Sequence, residues 1–345
     1  MAPIPESDDE LLDIYEGKVP LPPGWVRGKH AARFAAAAKA AALDLSTSDE
    51  KTSGLNGAAQ DAEQQAKLRA FCARVGQEWL PWADSHTLPI WAAKPGVVCL
   101  AGSGTLFRVA DVSFLVTAAH VYTDAEDGGW TLLVTDDSDG APEVRLTGGA
   151  VWVQPLPLDV AVWELSPAVV NSLTGRAFLS VHDTDRRRRR TGPGLYALYG
   201  YPGELCDLSS RVGARVIAEH RPLSYITSPY SGQVHHHGSY DPNFHFCLRL
   251  STSNSGLLGQ QSDMPSKLYG ISGCSLWQVY AEGMSVNLWS FRQSVVVAVQ
   301  THVNYDLGYI RGTRWWVIER IIRDNWPELA PALSLEMPDP RPAAV

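Results

Sequence analysis

Residues 96–118 read GVVCLAGSGTLFRVADVSFLVTA. Short apolar runs alternate here with Gly and Asp, and the same texture returns in the second half of the chain. Many short strands without helices between them are typical of an all-β sandwich or barrel. Two groups of six candidate strands therefore predict an all-β fold of two barrels. The candidates are residues 96–101, 104–109, 112–118, 129–135, 150–154 and 159–165, then 194–200, 212–219, 223–227, 244–251, 274–280 and 294–302.

The first 88 residues differ from this pattern because they are rich in Ala, Gln, Glu and Lys. Residues 29–43 predict an Ala-driven helix. Residues 58–80 predict an amphipathic helix, since their large apolar side chains recur at intervals of three and four. We therefore predict a helical N-terminal extension that packs against the main domain. The side chains on the apolar face are Leu68, Phe71, Val75 and Trp79.

A C-terminal helix is predicted over residues 313–325, because Trp315, Ile318 and Ile322 fall on one face. A proline follows its end, as expected of a helix stop. These features predict five regions along the chain. They are a helical N-terminal extension (1–88), a first β-barrel (89–175), a second β-barrel (176–310), a C-terminal helix (311–328) and a tail (329–345).

The composition argues against several classes of protein. Hydrophobic residues make up 45% of the chain and charged residues 19%, which is typical of a folded globular protein. The net charge of −8 argues against a nucleic-acid partner, since such proteins are normally basic. No apolar run approaches the roughly 18–20 residues that cross a bilayer, and the acidic start lacks a secretion signal. We therefore expect a cytoplasmic protein with no membrane partner.

The cysteines agree with this location. The chain has five, widely spaced and with no CxxC pair, so a structural zinc site is not expected. Free thiols fit a reducing compartment best, although a disulfide between Cys247 and Cys274 stays open as an alternative.

Two runs of one residue type have competing interpretations. The run Arg186–Arg190 is interpreted as a solvated loop, ahead of an acidic-partner site or a cleavable loop. The histidines at 235–237, with His245 nearby, could bind a metal ion. A surface loop is favoured, because adjacent histidines on a strand alternate faces and cannot easily share one ion.

Three segments carry the residue types of acyl-transfer chemistry. His120 follows an apolar strand, Asp159 stands at a loop-to-strand junction, and Ser272 lies between two glycines. A serine hydroxyl needs a neighbouring base, a histidine can supply it, and a carboxylate can orient the imidazole. The segments read SFLVTAAHV (113–121), PLPLDVAVW (155–163) and YGISGCSLW (269–277).

Each segment alone has an ordinary structural explanation, such as a core histidine, a turn aspartate or a chance G-x-S-G. Their order of His, then Asp, then Ser is that of the chymotrypsin type and differs from the subtilisin and α/β-hydrolase orders. Asp136 and Asp137 also lie between His120 and Ser272, and only the local pattern favours Asp159 over them.

Together, TAAH at 117–120, DVAV at 159–162 and GISG at 270–273 resemble the trypsin-like (chymotrypsin-fold) serine peptidases, particularly their bacterial intracellular branch. GSGTLF at 102–107 and LYGYPG at 198–203 are similar to further strands of this family, the latter in the high-temperature-requirement peptidases. The resemblance covers residues 89–310 and no segment beyond them.

The resemblance implies two perpendicular, six-stranded antiparallel barrels with the active site between them. It also implies a triad of His120, Asp159 and Ser272, an oxyanion hole from the amides of Gly270 and Ser272, and no metal or organic cofactor. Gly270 permits the tight turn that brings two amides together.

The sequence departs from the family pattern around the nucleophile. Ile271 replaces the acid that animal enzymes use in zymogen activation, so that route of activation is not expected. Cys274 should point away from the site on the following strand. Ser266, which the resemblance places at the base of the specificity pocket, favours a small or apolar substrate side chain, although Asp263 leaves this open. The pocket wall is expected from Gln300, Thr301 and His302.

The sequence thus predicts a cytoplasmic serine endopeptidase that cleaves a protein or peptide substrate. A regulatory protein partner is expected to act through residues 1–88, because an unregulated protease would harm the cell. A bacterial stress or antiviral module is an analogy to the family. The alternatives are a peptide-binding pseudo-peptidase that keeps the fold without cleaving, and a scaffold protein.

Overall fold

This computed structural model describes residues 70–135, 144–185, 193–212, 215–232, 240–250, 264–281 and 288–334. Two curled antiparallel sheets dominate it, which confirms the all-β prediction and is compatible with a double-barrel fold of the chymotrypsin type.

The first sheet has seven strands in the order β5-β4-β1-β2-β3-β7-β6, one more than predicted. Each strand pairs with its neighbours in antiparallel fashion. The strands are β1 (Thr87–Lys94), β2 (Val97–Val109), β3 (Val112–Ala118), β4 (Thr131–Val134), β5 (Val144–Arg145), β6 (Val151–Gln154) and β7 (Val160–Glu164).

The second sheet has six strands in the order β11-β8-β13-β14-β15-β12, and a separate two-stranded sheet pairs β9 with β10. The strands are β8 (Gly194–Gly200), β9 (Cys206–Val212), β10 (Arg215–His220), β11 (Leu223–Thr227), β12 (His245–Arg249), β13 (Ser275–Ala281), β14 (Val295–Asn304) and β15 (Tyr309–Arg314).

Strand alternation in the first sheet supplies two separate cores. On β3, Phe114 and Val116 enter a core shared between the two sheets, while Leu115 enters the first sheet's own core. Because β3 is covered on both faces, its sequence is a continuous apolar run rather than an alternating one. The second sheet has its own core in turn, which includes Leu198 and Ile271.

The helical extension ends inside the shared core. Residues 70–78 form α1, and α2 (Leu80–Ser85) follows directly. Phe71, Val75 and Trp79 are buried among residues of both sheets, so the predicted apolar face is correct for these three positions. Residues 1–69, with Leu68 and the predicted helix 29–43, lie outside the described residues. The chain from residue 70 therefore belongs to the folded domain.

The remaining helices are short except for α5. The predicted C-terminal helix is confirmed as α5, and its residues Trp315, Ile318 and Ile322 are fully buried. The helices are α3 (Ala119–Asp127), α4 (Pro167–Ser172), α5 (Trp315–Asn325) and α6 (Ala330–Ser334).

In the part of the chain that the structure describes, no helix has both the length and the apolar character needed to cross a membrane. All five cysteines are free thiols, so Cys247 and Cys274 are not the disulfide left open above.

Candidate active site

His120 and Asp159 are brought together by the register of two neighbouring strands. β3 pairs with β7 so that Ala118 faces Val160. β3 then passes into α3, which places His120 in the first turn of that helix. Asp159 immediately precedes β7, so the two residues meet at the same end of the sheet. Asp136 and Asp137, the competing candidates, lie outside the described residues.

The carboxylate of Asp159 binds both the ring and the backbone of His120. Its Oδ2 lies 2.9 Å from Nδ1 of His120 and its Oδ1 lies 3.1 Å from the same nitrogen. The backbone N–H of His120 donates to Oδ1 at 3.0 Å, and that of Ala119 donates to the carbonyl of Asp159 at 3.0 Å. A carboxylate at Nδ1 fixes the ring orientation and leaves Nε2 on the opposite side of the ring.

The charge of Asp159 is favoured by these contacts. Burial alone would raise the pKa of its carboxyl, but the hydrogen bonds and charge of His120, with the positive charge of Arg311, outweigh burial and lower it. The side chains are only 13% (His120) and 9% (Asp159) exposed, so solvent screens the pair weakly. The acid is therefore ionised and oriented for a partner imidazole.

The Ser272 turn depends on two left-handed glycines. Gly270 has φ +90 and Gly273 has φ +94, values that L side chains rarely adopt. A side-chain carbon at Gly273 would lie 2.1 Å from both the carbonyl oxygen of Ser103 and Oγ1 of Thr117. Gly273 therefore has neither the dihedral angles nor the space for another residue.

Hydrogen bonds within the turn leave alternate amides available. The amide of Ile271 donates to the carbonyl of Leu268 at 3.3 Å. The amide of Gly273 donates to the carbonyl of Gln300 at 2.8 Å, and that of Cys274 donates to the carbonyl of Ile271 at 2.9 Å.

Among the described residues, the amides of Gly270 and Ser272 donate to no protein acceptor. Two such donors on either side of one residue can bind an oxyanion. This is the pair of amides that the sequence predicted for the oxyanion hole.

Ser103 on β2 attaches this turn to the first sheet. Its hydroxyl donates to the carbonyl of Gly270 at 2.8 Å and accepts from the amide of Tyr201 at 2.9 Å. Its own amide donates to the carbonyl of Ser272 at 2.8 Å. One residue of the first sheet thus holds both ends of the Gly270–Ser272 segment.

Close packing also places Ser272 beside α3. A side-chain carbon at Gly102 would lie 2.6 Å from Cγ2 of Val121 and 2.9 Å from the carbonyl oxygen of Ser272. Val121 directly follows His120 in α3. The structure therefore brings the three predicted residues to one end of the first sheet, with Ser272 partly exposed and Asp159 buried.

The residues that depart from the family pattern lie in the core. Ile271 and Cys274 are fully buried in the core of the second sheet, and burial raises the pKa of the Cys274 thiol. A thiol whose pKa is raised is a poor nucleophile. The prediction that Cys274 points away from the site agrees with this placement.

An acid that sequence reasoning missed lies beside Ser266, the residue predicted at the base of the specificity pocket. Ser266 is exposed, and its amide donates to Oε2 of Glu204 at 2.7 Å while its hydroxyl donates to Oε1 at 2.5 Å. Glu204 is 62 positions away in the sequence, so no local signal could connect the two. Asp263 lies outside the described residues.

The expected pocket wall is joined to the Ser272 turn by backbone hydrogen bonds of Gln300. The carbonyl of Gln300 accepts from Gly273, and its amide donates to the carbonyl of Cys274 at 2.8 Å. Gln300 and Thr301 are buried, whereas His302 is partly exposed and packs against Tyr309 with ring centroids 6.3 Å apart.

The metal site considered for the histidines would need His235, His236 and His237 together with His245. His245 is a fully buried residue of β12, within the strand predicted over residues 244–251. Residues 235–237 and the run Arg186–Arg190 lie outside the described residues. Within the described ranges, no group of three or more His, Cys, Asp or Glu side chains is placed to hold a metal ion.

No family model and no curated protein matches this sequence. Among solved structures, the chain is similar to one described by the words "Aromatic interactions drive the coupled folding and binding of the intrinsically disordered Sesbania mosaic virus VPg protein". The two share 12% identity and a TM-score of 0.36, over 68% of this chain and 87% of that one. A TM-score this low carries no inference about fold or function.

Proposed function

We propose that this protein is a trypsin-like serine endopeptidase that works through an acyl-enzyme on Ser272. The observation that carries the proposal is the contact of 2.9 Å between Nδ1 of His120 and Oδ2 of Asp159, beside the glycine-bounded Ser272 turn. The chemistry follows from residue types whose roles are general in acyl transfer.

In the first half of the reaction, Oγ of Ser272 attacks the carbonyl carbon of the substrate and passes its proton to Nε2 of His120. Asp159 stabilises the imidazolium that forms. The negative charge moves to the carbonyl oxygen, which accepts hydrogen bonds from the amides of Gly270 and Ser272. The carbon–nitrogen bond then breaks, and His120 returns the proton to the leaving amine.

In the second half, water replaces the amine. His120 takes one proton from the water, and the resulting hydroxide attacks the acyl carbon. The bond to Oγ breaks, Ser272 recovers its proton, and a carboxylic acid product leaves. Only side chains and backbone amides of this chain act in these steps.

A fluorophosphonate probe, which modifies activated serines, tests the proposal. We expect the wild-type chain to be labelled, and Ser272→Ala and His120→Ala to lose labelling together with cleavage of an unstructured protein such as casein. Ser172→Ala is a matched control, because that hydroxyl only donates to the carbonyl of Val169 in a short helix. Peptide binding without labelling would instead favour the pseudo-peptidase, and partner binding that survives Ser272→Ala would favour the scaffold.

Glu204 extends the proposal to specificity. If Ser266 lies at the pocket base, as the family resemblance implies, the carboxylate beside it should attract a basic substrate side chain, in contrast to the small or apolar one that Ser266 alone favours. We expect Glu204→Gln to lower kcat/KM for substrates with Arg before the cleaved bond by about tenfold or more. Substrates with Ala at that position are the control. If the ratio of kcat/KM for the Arg and Ala substrates does not change, the prediction of a small or apolar substrate side chain would stand.

We also propose a regulatory partner bound through residues 1–88, a cytoplasmic location, and a place in a bacterial stress or antiviral module. Because Phe71, Val75 and Trp79 belong to the shared core, a partner surface within the extension should lie before residue 70.

A further inference from the structure

Two buried polar residues of the second sheet lie opposite each other on neighbouring strands. His245 on β12 and Thr313 on β15 are register partners, and both are fully buried. Directly opposite residues of an antiparallel pair project from the same face of the sheet. The two polar groups therefore point together at one target.

Their target is the segment that leads into Asp159. Nε2 of His245 lies 2.8 Å from the carbonyl oxygen of Pro157, and the hydroxyl of Thr313 donates to the carbonyl oxygen of Leu158. These two carbonyls belong to the two residues immediately before Asp159. Neither hydrogen bond takes part in the chemistry proposed above.

Asp159 needs such support because its backbone is strained. It has φ +54, a left-handed conformation that is uncommon outside glycine. Within its own loop, the amides of Leu158 and Asp159 both point at the carbonyl of Pro155 at 3.2 Å, which is the long end of the hydrogen-bond range. The loop's own bonds are thus weak, and the additional bonds come from outside it.

The hydrogen bonds of His245 define its role as a donor. The amide of Asp241 donates to Nδ1 at 2.9 Å, so this nitrogen carries a lone pair and the proton resides on Nε2. Nε2–H can then donate to Pro157. The carbonyl of Asp241 also lies 3.1 Å from Nδ1.

The surroundings keep the ring neutral. Burial, and then the positive charge of Arg311 on β15, lower the pKa of His245, while Asp241 and the accepting carbonyls act in the opposite direction. Tyr240 stacks on the ring with centroids 5.7 Å apart. Among the described residues, these are the charged and titratable groups that interact with His245.

We propose that His245, together with Thr313, is a positioning residue that holds the Asp159 loop from the opposite sheet and so fixes the carboxylate against His120. The inference rests on the proposed function of the His120–Asp159 pair. Two amides at the start of α3 hold Asp159 itself, and two side chains of the second sheet hold the carbonyls before it. The orientation of the acid then depends on the docking of the two sheets.

The first test compares donors with non-donors of similar shape. His245→Phe removes the donor and should lower the fluorophosphonate labelling rate and kcat by about tenfold or more, with KM nearly unchanged, because a buried carbonyl loses its partner. His245→Gln can still donate to Pro157 and should restore most of the rate. Thr313→Val should lower the rate in the same direction, and Thr313→Ser should not.

Thr227→Val is the matched control. Its hydroxyl also donates to a backbone carbonyl of the second sheet, that of Arg249, but the bond does not reach the Asp159 loop. We expect its labelling rate to equal that of the wild type. A rate loss as large as that of Thr313→Val would mean that any weakened hydrogen bond in this sheet slows the reaction, which would overturn the proposal.

A readout that does not depend on catalysis separates this inference from the proposed function. The Nδ1–H proton of His120, bonded to Asp159, should give a low-field proton resonance in the full chain carrying Ser272→Ala. His245→Phe should shift or abolish this resonance, and His245→Gln should keep it. If the wild type is never labelled but the resonance responds in this way, the endopeptidase proposal fails and the positioning role stands.

The opposite result would overturn the positioning role. A folded His245→Phe chain with both the resonance and the labelling rate of the wild type shows that Asp159 needs no support from the second sheet. If His245→Phe does not fold, Thr313→Val decides the question by the same two measurements, and wild-type values in both would reject the proposal.

Discussion

The two halves of the candidate site are built in different ways. His120 lies in the first turn of α3 and Asp159 immediately before β7, and the register of the paired strands β3 and β7 brings the two side chains within 2.9 Å. The Ser272 turn belongs to the second sheet and reaches the first through hydrogen bonds to Ser103. The acid–base pair therefore forms within the first sheet and is supported from the second at the two carbonyls before Asp159, whereas the nucleophile half reaches its partners only through contact between the sheets. Substitutions in the two halves should therefore affect activity and stability in different ways.

Among the substitutions considered, one in the acid–base half should cause the largest loss of activity with the smallest change in structure. Asp159→Asn keeps the size of the side chain but no longer stabilises the imidazolium or the required tautomer, so we expect kcat/KM to fall by about four orders of magnitude. Steady-state cleavage of a peptide substrate measures the loss. A decrease of less than about tenfold would show that another acid, such as one of the two neighbouring candidates at 136–137, orients His120.

The same substitution changes the dependence of stability on pH. Because the folded pKa of Asp159 is lowered, its carboxylate stabilises the fold at pH values above its ordinary pKa and loses this effect as the pH falls through the folded value. The melting temperature should therefore decline less steeply in Asp159→Asn than in the wild type as the pH falls from about 5 to about 2, through and below the ordinary pKa of an aspartate. Equal slopes would contradict the lowered pKa.

Sequence reasoning succeeded where the information is local. β3 and β11 were predicted over their full lengths, because each is a continuous apolar or β-branched run. β1 was missed, since Pro89, two alanines and a lysine are poor strand formers and only its pairing with β2 and β4 makes it a strand. β15 was not predicted, since its residues 311–314 fall within the predicted C-terminal helix region, although β14 and β12 pair with it on both sides.

The candidate site shows the same difference between local motifs and partners that are distant in the sequence. His120, Asp159 and Ser272 could be predicted because each stands in a recognisable short motif. Ser103 and Gly270 are 167 residues apart, and His245 and Pro157 are 88 apart, so no short window contains both partners. The groups proposed to carry the chemistry stand in short motifs of the sequence, whereas the groups that hold them in place are distant from them in the sequence.

A substitution in the nucleophile half should cause a somewhat smaller loss of activity together with a loss of stability. Gly273→Ala would place a carbon 2.1 Å from a backbone oxygen of Ser103, at a φ of +94 that alanine avoids. The turn must shift and take the Ser272 amide with it, so we expect kcat to fall by about two to three orders of magnitude. Thermal unfolding and fluorophosphonate labelling measure the two effects.

Gly96→Ala provides the control for Gly273→Ala. Gly96 also has positive φ, at +80, but nothing lies within 4 Å of a carbon added there. It therefore has the conformational strain without the clash, and its labelling rate should remain near that of the wild type. If both variants lose labelling equally, the strain of a side chain at positive φ, and not the clash with the first sheet, would explain the loss in Gly273→Ala.

Ser103→Ala gives the smallest predicted effect and the sharpest test of the difference between the halves. It removes only the hydroxyl that joins Gly270 to the amide of Tyr201, while its backbone bond to Ser272 remains. We expect kcat to fall by about five- to tenfold, because one hydrogen bond of about 1 kcal/mol no longer orders the turn. The low-field His120 resonance should stay unchanged, since β3 and β7 hold His120 and Asp159 without Ser103. A resonance that moves along with kcat would mean that the two halves form one coupled unit rather than two.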